Sequence, residues 1–179
     1  MKKLILYNCC LFMLIAWQAS AQSDSKKERI VDDSKDAKKE FIKTDAKMND
    51  LFSKAYGYVI FPNVGKGGLG VGGAGGTGAV YEQGKLIGSA NMSQVTIGLQ
   101  AGGQAYREVV FFEDKEVMDR FKDSRIEMSA QISAVAAASG ASANAKYVEG
   151  VMVFTMAKGG LMYEASVGGQ KFKYEENEK

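Results

Sequence analysis

The chain has 179 residues, a formal net charge of +2, 46% hydrophobic residues and no histidine. This length suits a single domain with its own hydrophobic core, and the near-neutral charge excludes the strong basic excess that is typical of nucleic-acid binders. Without histidine, the chain can form neither a Ser–His or Cys–His catalytic pair nor a histidine-based metal site.

The N-terminal segment has the order of regions that is typical of a secretory signal peptide. Lys2 and Lys3 come first, an apolar run follows over Leu4–Trp17, and small residues close the segment at Ala19-Ser20-Ala21. We therefore predict a signal peptide over residues 1–21. The mature protein is expected to be exported, either to the periplasm or to the outside of the cell, where it could associate peripherally with a membrane.

Cleavage after Ala21 would also remove Cys9 and Cys10, which are the two cysteines of the chain. The mature protein could then form no disulfide, so its fold would depend on its hydrophobic core. Cleavage would also remove Lys2 and Lys3 and leave 21 basic against 21 acidic residues, a net charge of 0.

A polar segment and a helix are expected next. Residues 22–33 are rich in charge, which predicts a flexible leader. From Ser34, the expected N-cap, to Ala55 the sequence has a helical period. The apolar positions of this predicted helix are Ala37, Phe41, Met48, Leu51, Phe52 and Ala55, and the lysines opposite are Lys39, Lys43, Lys47 and Lys54.

Two roles are open for this amphipathic helix. An apolar stripe at this spacing usually packs on the core of its own domain. With lysines on the other face, the helix could instead bind an anionic membrane surface. One lysine near such a bilayer contributes about 1 kcal/mol, so a few lysines among acidic neighbours predict only weak binding by charge alone.

Glycine-punctuated strands are expected after Gly57. A short strand is predicted at Tyr58–Phe61 and should end at Pro62. The run Ala79–Ile87 predicts a β-hairpin. A second hairpin is expected to join Val95–Ala101 to the strand that ends at Val109–Phe112.

The last third predicts one more helix and further strands. A short helix is expected over Glu113–Lys122, with Asp114 as its N-cap. A strand is expected at Met128–Ala134, although the alanine content of this stretch would also suit a helix. Another strand is expected at Tyr147–Met156, and a hairpin at Leu161–Tyr174 with Gly168-Gly169 as its tight turn. The predicted fold class is α+β: a single compact domain, over residues 34–177, of mostly antiparallel β-hairpins with a long N-terminal amphipathic helix and a short middle helix.

The densest cluster of glycines lies between Gly65 and Gly78. Its Gly70–Gly75 segment formally fits GxGxxG, but a dinucleotide site needs a helix directly afterwards, and the hairpin at Ala79–Ile87 follows instead. Either close packing between elements or a main-chain site for an anion or head group would use these glycines. The candidates for such a glycine-rich loop are Lys66, Gly67, Gly68, Gly70, Gly72 and Gly73.

Catalytic chemistry has little support in this sequence. A carboxylate pair or a Ser–Lys pair is formally possible, but the acidic residues are spread through the predicted leader, helices and tail, where solvated faces explain them. An unusual hydrolase would need a cleft with a carboxylate or lysine of strongly shifted pKa. We therefore expect a protein that is not an enzyme, with no cofactor and no metal.

Several sequence blocks resemble the SYLF-domain family in order. The segment Ala55–Gly73 is similar to the opening signature of that domain, and later blocks follow at Thr96–Tyr106, Val109–Phe112 and Ala157–Gly169. The resemblance covers about residues 35–177. It implies a compact mixed α and β domain that binds lipid, since eukaryotic relatives bind phosphoinositides through a basic amphipathic N-terminal helix and some bind actin.

The resemblance also implies candidate lipid-binding residues and partners. The matching helix positions are Lys35, Lys38, Lys39, Lys43 and Lys47. Export would separate the protein from cytosolic actin and phosphoinositides, and Ser89–Met92 departs from the Ser-Ala-Pro of other members. The expected function is lipid or membrane-surface binding without catalysis and without nucleic acid. The alternative is an envelope structural or interaction module that self-associates through its glycine-rich hairpins.

Overall fold

The computed structural model describes residues 25–98, 104–124, 126–128, 132–158, 167 and 169–177. Three α-helices are present in these ranges: α1 at 25–44, α2 at Met48–Lys54 and α3 at Lys115–Lys122. Six strands follow the order β1 Gly57–Glu82, β2 Lys85–Gly98, β3 Gln104–Phe112, β4 Ala134–Ala136, β5 Val151–Ala157 and β6 Lys171–Glu176. A short 3-10 turn lies at Ala141–Asn144. The α+β prediction is confirmed.

The strands form one sheet in the order β4-β5-β3-β1-β2-β6. All neighbouring pairs are antiparallel except β4 and β5, which are parallel. The first part of β1 pairs with β3 and its second part pairs with β2. This 26-residue strand is therefore shared by two halves of the sheet.

Strand β1 folds back over itself. A Cβ placed on Gly76 would lie 2.8 Å from the carbonyl oxygen of Asn63, and one placed on Gly78 would overlap the carbonyl oxygen of Ile60. The two halves of the sheet therefore meet face to face, and only glycine allows the backbones to approach so closely. Close packing between elements, one of the two uses expected for the glycine cluster, is what these two residues provide.

The predicted end of the first strand at Pro62 is wrong, because β1 continues through it. The pairing register between β1 and β3 shifts between Phe61 and Val64. Proline lacks an N–H and is tolerated within a sheet at such a bulge. The bulge therefore lets one long strand replace the short strand that the sequence predicts.

The face-to-face halves enclose the main hydrophobic core. Alternate residues of β3, Tyr106, Val110 and Phe112, point into it, and Phe61 of β1 stacks on Phe172 of β6 at 5.9 Å between ring centres. The residues between them on β3, such as Val109 and Phe111, point to the opposite face. The period of two thus divides the strand between two cores.

The helices α1 and α2 cover that opposite face. Ala37 and Phe41 of α1 and Met48 and Phe52 of α2 pack with Phe111 and other apolar side chains of the first half of the sheet. The long amphipathic helix of the prediction is therefore present, and its apolar stripe lies on the core of its own domain.

The predicted start of this helix is wrong. Residues 25–33, which were expected to be a flexible leader, belong to α1. Ser34 is not an N-cap but lies inside the helix, where its hydroxyl donates to the carbonyl oxygen of Ile60 at 3.2 Å. The spacing of Ile30, Ser34, Ala37 and Phe41 extends one helical face toward the N-terminus. The many charged residues on either side of Ile30 make this pattern hard to recognise in the sequence.

The predicted helix over 34–55 is also interrupted, since α1 ends at residue 44. Asp45 lies at this break. Its carboxylate accepts hydrogen bonds from the N–H of Lys47 at 3.1 Å and from the N–H and hydroxyl of Ser142 at 2.9 and 2.7 Å. A buried carboxylate needs such partners. They fix the turn between α1 and α2 against the Ala141–Asn144 turn.

Two local predictions are confirmed. The hairpin at 79–87 joins β1 and β2, and both turn residues, Gln83 and Gly84, have positive φ, as a two-residue turn of this type requires. Helix α3 begins after Asp114, whose side chain accepts the N–H of Val117 at 3.0 Å.

The expected hairpin between 95–101 and the strand ending at Phe112 is wrong, because β1 lies between β2 and β3. Neighbours in the sequence are separated here by a strand that pairs with both. Residues 99–103 lie outside the described residues, as do the predicted signal peptide and residues 22–24.

The C-terminal predictions are only partly within the described residues. β5 covers the C-terminal part of the expected strand and continues one residue beyond it, β6 includes Lys171–Tyr174, and Ala134 begins β4. β6 pairs with β2. The expected strand at 161–167 lies almost entirely outside the described ranges, as do residues 129–131.

Candidate functional site

Exposed lysines form a row along α1. Lys35, Lys39 and Lys43 are spaced four residues apart, which places them on one side of the helix, and Lys47 follows in the turn before α2. All four are exposed. Residues 25–44 carry seven basic and five acidic side chains, a net charge of +2.

Acidic neighbours pair with part of this lysine row. Lys35 lies 2.9 Å from Asp32 and Lys39 lies 2.7 Å from Asp36. The hydrogen bonds to these carboxylates raise the pKa of both lysines. Exposed pairs of this kind are weak and screened by salt, so they leave the lysines available to another anion.

Lys38 has a different environment from the other four candidates. Its ammonium donates to the hydroxyl of Tyr58 at 3.1 Å and lies 4.6 Å from the centre of the Phe52 ring. Burial lowers its pKa. The side chain thus fastens α1 to α2 and β1 through a cation–π contact and does not face outward with the row.

The apolar face of the same helix is closed off. Ala37 is 1% exposed and Phe41 is fully buried. A docked α1 therefore cannot insert these side chains into a bilayer, and any membrane contact through it must use its exposed side. No helix in the described ranges is both long and apolar enough to cross a bilayer.

A groove of about 460 Å³ lies between the first turns of α1 and the start of β2. Lys27 and Lys35 line it with two acidic side chains, and Val31 and Leu86 provide apolar surface. Leu86 is 38% exposed. The lining therefore combines two cations and two carboxylates with apolar surface and has no net charge.

Sequence reasoning missed the groove because residues 25–33 were expected to be a flexible leader. The pair Ile30-Val31 was the available signal, since these are the aliphatic residues of an otherwise polar segment. Residues that are four positions apart lie on one side of a helix, so Lys27 and Val31 are neighbours one turn apart.

The glycine-rich candidates do not form a loop. Lys66 and the candidate glycines from Gly67 to Gly73 lie within β1. An extended strand does not form the concave cluster of N–H groups that binds an anion. The predicted glycine-rich loop is therefore corrected to a strand.

One carboxylate with a strongly shifted pKa is present, but it is not in a cleft. Glu108 of β3 points into the main core and is 0% exposed. Burial raises its pKa to about 7. Because the carboxyl is enclosed, it gives no support to a hydrolase, and across the described ranges no three Cys, Asp or Glu side chains are grouped as metal ligands.

Comparison with known proteins connects this geometry to a family. Residues 93–179 match the family model described as "Ysc84: Las17-binding protein actin regulator", which corresponds to the SYLF domain. The resemblance to the SYLF family is confirmed. This match includes the blocks at Thr96–Tyr106 and Ala157–Gly169 that the sequence analysis compared with the domain.

A relative in the SYLF family extends the comparison. Beta cell expansion factor A of Aeromonas veronii is 32% identical over 124 residues, which are 68% of this chain and 47% of that protein. The chain therefore spans about half the length of this curated relative. The SYLF family is associated with lipid binding and with actin-patch proteins and is generally non-enzymatic.

Proposed function

We propose that this protein is an exported, non-enzymatic SYLF protein that binds an anionic membrane surface through the lysine row of α1. The observation that carries the proposal is the division of α1 into two faces: its apolar stripe is buried, while Lys35, Lys39, Lys43 and Lys47 are exposed. The association of the family with lipid supports the same reading.

The proposed contact is electrostatic and peripheral. Because the apolar stripe packs on the sheet, the docked helix offers a bilayer its charged side, with Val31 of the groove as the apolar part of that exposed surface. The net charge of +2 over residues 25–44 is small, so one copy of the protein should bind weakly and in a salt-sensitive manner. Useful affinity requires a second contribution.

The groove beside the row supplies that second contribution. Lys27 and Lys35 can donate to a head-group phosphate. Val31 and Leu86 can contact the first methylene groups of the chains, where apolar area removed from water contributes about 25 cal/mol per Å². In this arrangement the groove receives one lipid and the remaining lysines contact its neighbours in the bilayer.

The test is co-sedimentation of residues 22–179 with phosphatidylglycerol vesicles at moderate salt. The Lys39/Lys43/Lys47→Glu variant should lose most of the bound fraction, because it converts three attractive charges into repulsive ones. A matched Lys85/Lys146/Lys173→Glu variant makes the same charge change on exposed lysines elsewhere and should keep most of its binding. Equal loss in both variants would contradict a specific role for α1.

A second candidate, self-association through the glycine-rich sheet, is favoured by one observation. Gly73 and Gly75 of β1 are exposed, and a Cβ on either would meet nothing closer than 3.4 Å. The fold itself does not need glycine there, and a flat surface lets a second copy approach closely. This candidate predicts association without lipid that is unaffected by charge reversal on α1, which analytical ultracentrifugation of the same variants would detect.

A further inference from the structure

A polar cluster interrupts the main core where the two halves of the sheet meet. Glu108 and Tyr106 lie on the inward side of β3, and Gln170 immediately precedes β6. Glu108 and Gln170 are both 0% exposed. Nε2 of Gln170 donates a hydrogen bond to Oε2 of Glu108 at 3.0 Å. This hydrogen bond connects the first half of the sheet to the second.

The carboxyl of Glu108 has neutral neighbours. On β5, Thr155 is its register partner and is buried; on β1, the register partner is Phe61. Within the described ranges, burial raises the pKa of Glu108, and the neighbouring Gln170 and Tyr106 lower it. Among the described residues, no basic side chain contributes to this shift. An ionised carboxylate in this position would therefore lack a compensating cation.

The cluster is also incompletely hydrogen-bonded among the described residues. Oε1 of Glu108, the hydroxyl of Tyr106 and Oε1 of Gln170 have no partner of good geometry there. A partly satisfied buried network costs free energy, and separation that admits water relieves this cost. The unsatisfied polar atoms therefore favour opening at this end of the core.

We propose that Glu108, Gln170 and Tyr106 form a proton-dependent latch that holds Gln170 and β6 against β3. With a neutral carboxyl, the latch is closed and the two halves of the sheet stay together. When the carboxyl ionises, β6 separates from β3 at this end and water reaches Glu108. Opening would expose Phe172 of β6 and its apolar neighbours, which are buried in the closed form.

The direction of the pH dependence follows from proton linkage. The closed form holds the pKa of Glu108 at about 7, well above the ordinary value of 4.5 that a solvated carboxyl has in the open form. Between these values the closed form binds a proton that the open form releases. The equilibrium constant for opening should therefore rise about tenfold per pH unit from about pH 5 to pH 7 and become constant above.

Hydrogen exchange of the full chain tests the latch. Protection of the β6 amides, corrected for the intrinsic rate, should fall about tenfold per pH unit between about pH 5 and pH 7, while amides in the middle of β3 keep their protection. Glu108→Gln preserves a neutral side chain of the same shape and should remove this dependence. Glu113→Gln changes an exposed carboxylate at the end of β3 and should preserve it.

Three outcomes of the hydrogen-exchange experiment would overturn the latch. These are pH-independent protection of β6 in the wild type, an equal fall in β3 and β6 that indicates global unfolding, or an unchanged dependence in Glu108→Gln. If that variant fails to fold, carboxyl-carbon NMR of the wild-type protein decides: titration of Glu108 near 7 supports the latch, and titration near 4.5 overturns it.

Discussion

The five candidate lysines differ at the scale of the residue. Lys35, Lys39, Lys43 and Lys47 are exposed, whereas Lys38 bonds to Tyr58 and lies over an aromatic ring. The sequence cannot separate them by type, because all five fit the basic side of one helix. Their neighbours separate them, and a variant that includes Lys38 would mix loss of charge with loss of packing.

Asp45 gives a prediction for the stability of the fold. Asp45→Ala should lower the free energy of unfolding by about 2 kcal/mol, because it leaves the N–H and hydroxyl of Ser142 without their anionic acceptor. Urea denaturation at pH 7 would measure this loss. The exposed Asp33→Ala on α1 is the matched control and should change the free energy of unfolding by less than about 0.5 kcal/mol.

The same residue predicts part of the acid sensitivity. Hydrogen bonds from Ser142 hold the pKa of Asp45 below its ordinary value. This stabilisation is present above the ordinary carboxyl pKa and is lost as the pH falls through the depressed pKa. The difference in free energy of unfolding between wild type and Asp45→Ala should therefore shrink from pH 7 toward pH 2; a difference that stays constant would contradict the role of the ionised carboxylate.

At the scale of the element, β1 determines the shape of the sheet. Its first part pairs with β3, its second part pairs with β2, and Gly76 and Gly78 allow the two parts to pack together. The glycines of β1 therefore fall into two groups. Some are required by close backbone approach, and others, such as Gly75, are not.

This division predicts opposite effects of one substitution. Gly78→Ala places a methyl group against the carbonyl of Ile60 and should lower the free energy of unfolding by about 3 kcal/mol, as overpacking does. Gly75→Ala meets only ordinary contact and should change stability by no more than about 1 kcal/mol, in the stabilising direction. Equal effects in thermal denaturation would contradict the folded-back course of β1.

Local signals in the sequence predicted the elements that depend on neighbouring residues. The cap at Asp114 and the turn at Gln83-Gly84 are examples, since the atoms that define them are a few residues apart. The course of β1 through Pro62 and its position between β2 and β3 depend on pairings across the sheet. Those pairings have no local pattern, so the adjacent strands were wrongly joined as a hairpin.

The Glu108–Gln170 latch and the groove show the same difference between local signals and contacts across the fold. Alternation predicts that Glu108 shares a face with Val110 and Phe112, so its burial was available from the sequence once the strand was recognised. Its partner Gln170 comes from 62 residues further along the chain and has no sequence signal. The groove was missed for a related reason, because its two sides belong to α1 and β2.

At the scale of the whole molecule, one helix connects the fold to the proposed function. The apolar side of α1 stabilises the domain and its charged side is free to meet a surface. A stably docked α1 and membrane insertion of its apolar stripe exclude each other, since both use Phe41. The proposed function therefore requires binding that depends on charge rather than on insertion.

The salt dependence of wild-type binding tests this requirement most directly. Sedimentation with anionic and with neutral vesicles should be measured between low salt and about 0.5 M salt, where screening acts within a few ångströms. We predict binding to anionic vesicles that disappears as salt rises, and no binding to neutral vesicles. Salt-resistant binding, or equal binding to neutral vesicles, would show that apolar contacts dominate the binding and would contradict a docked, charge-led α1.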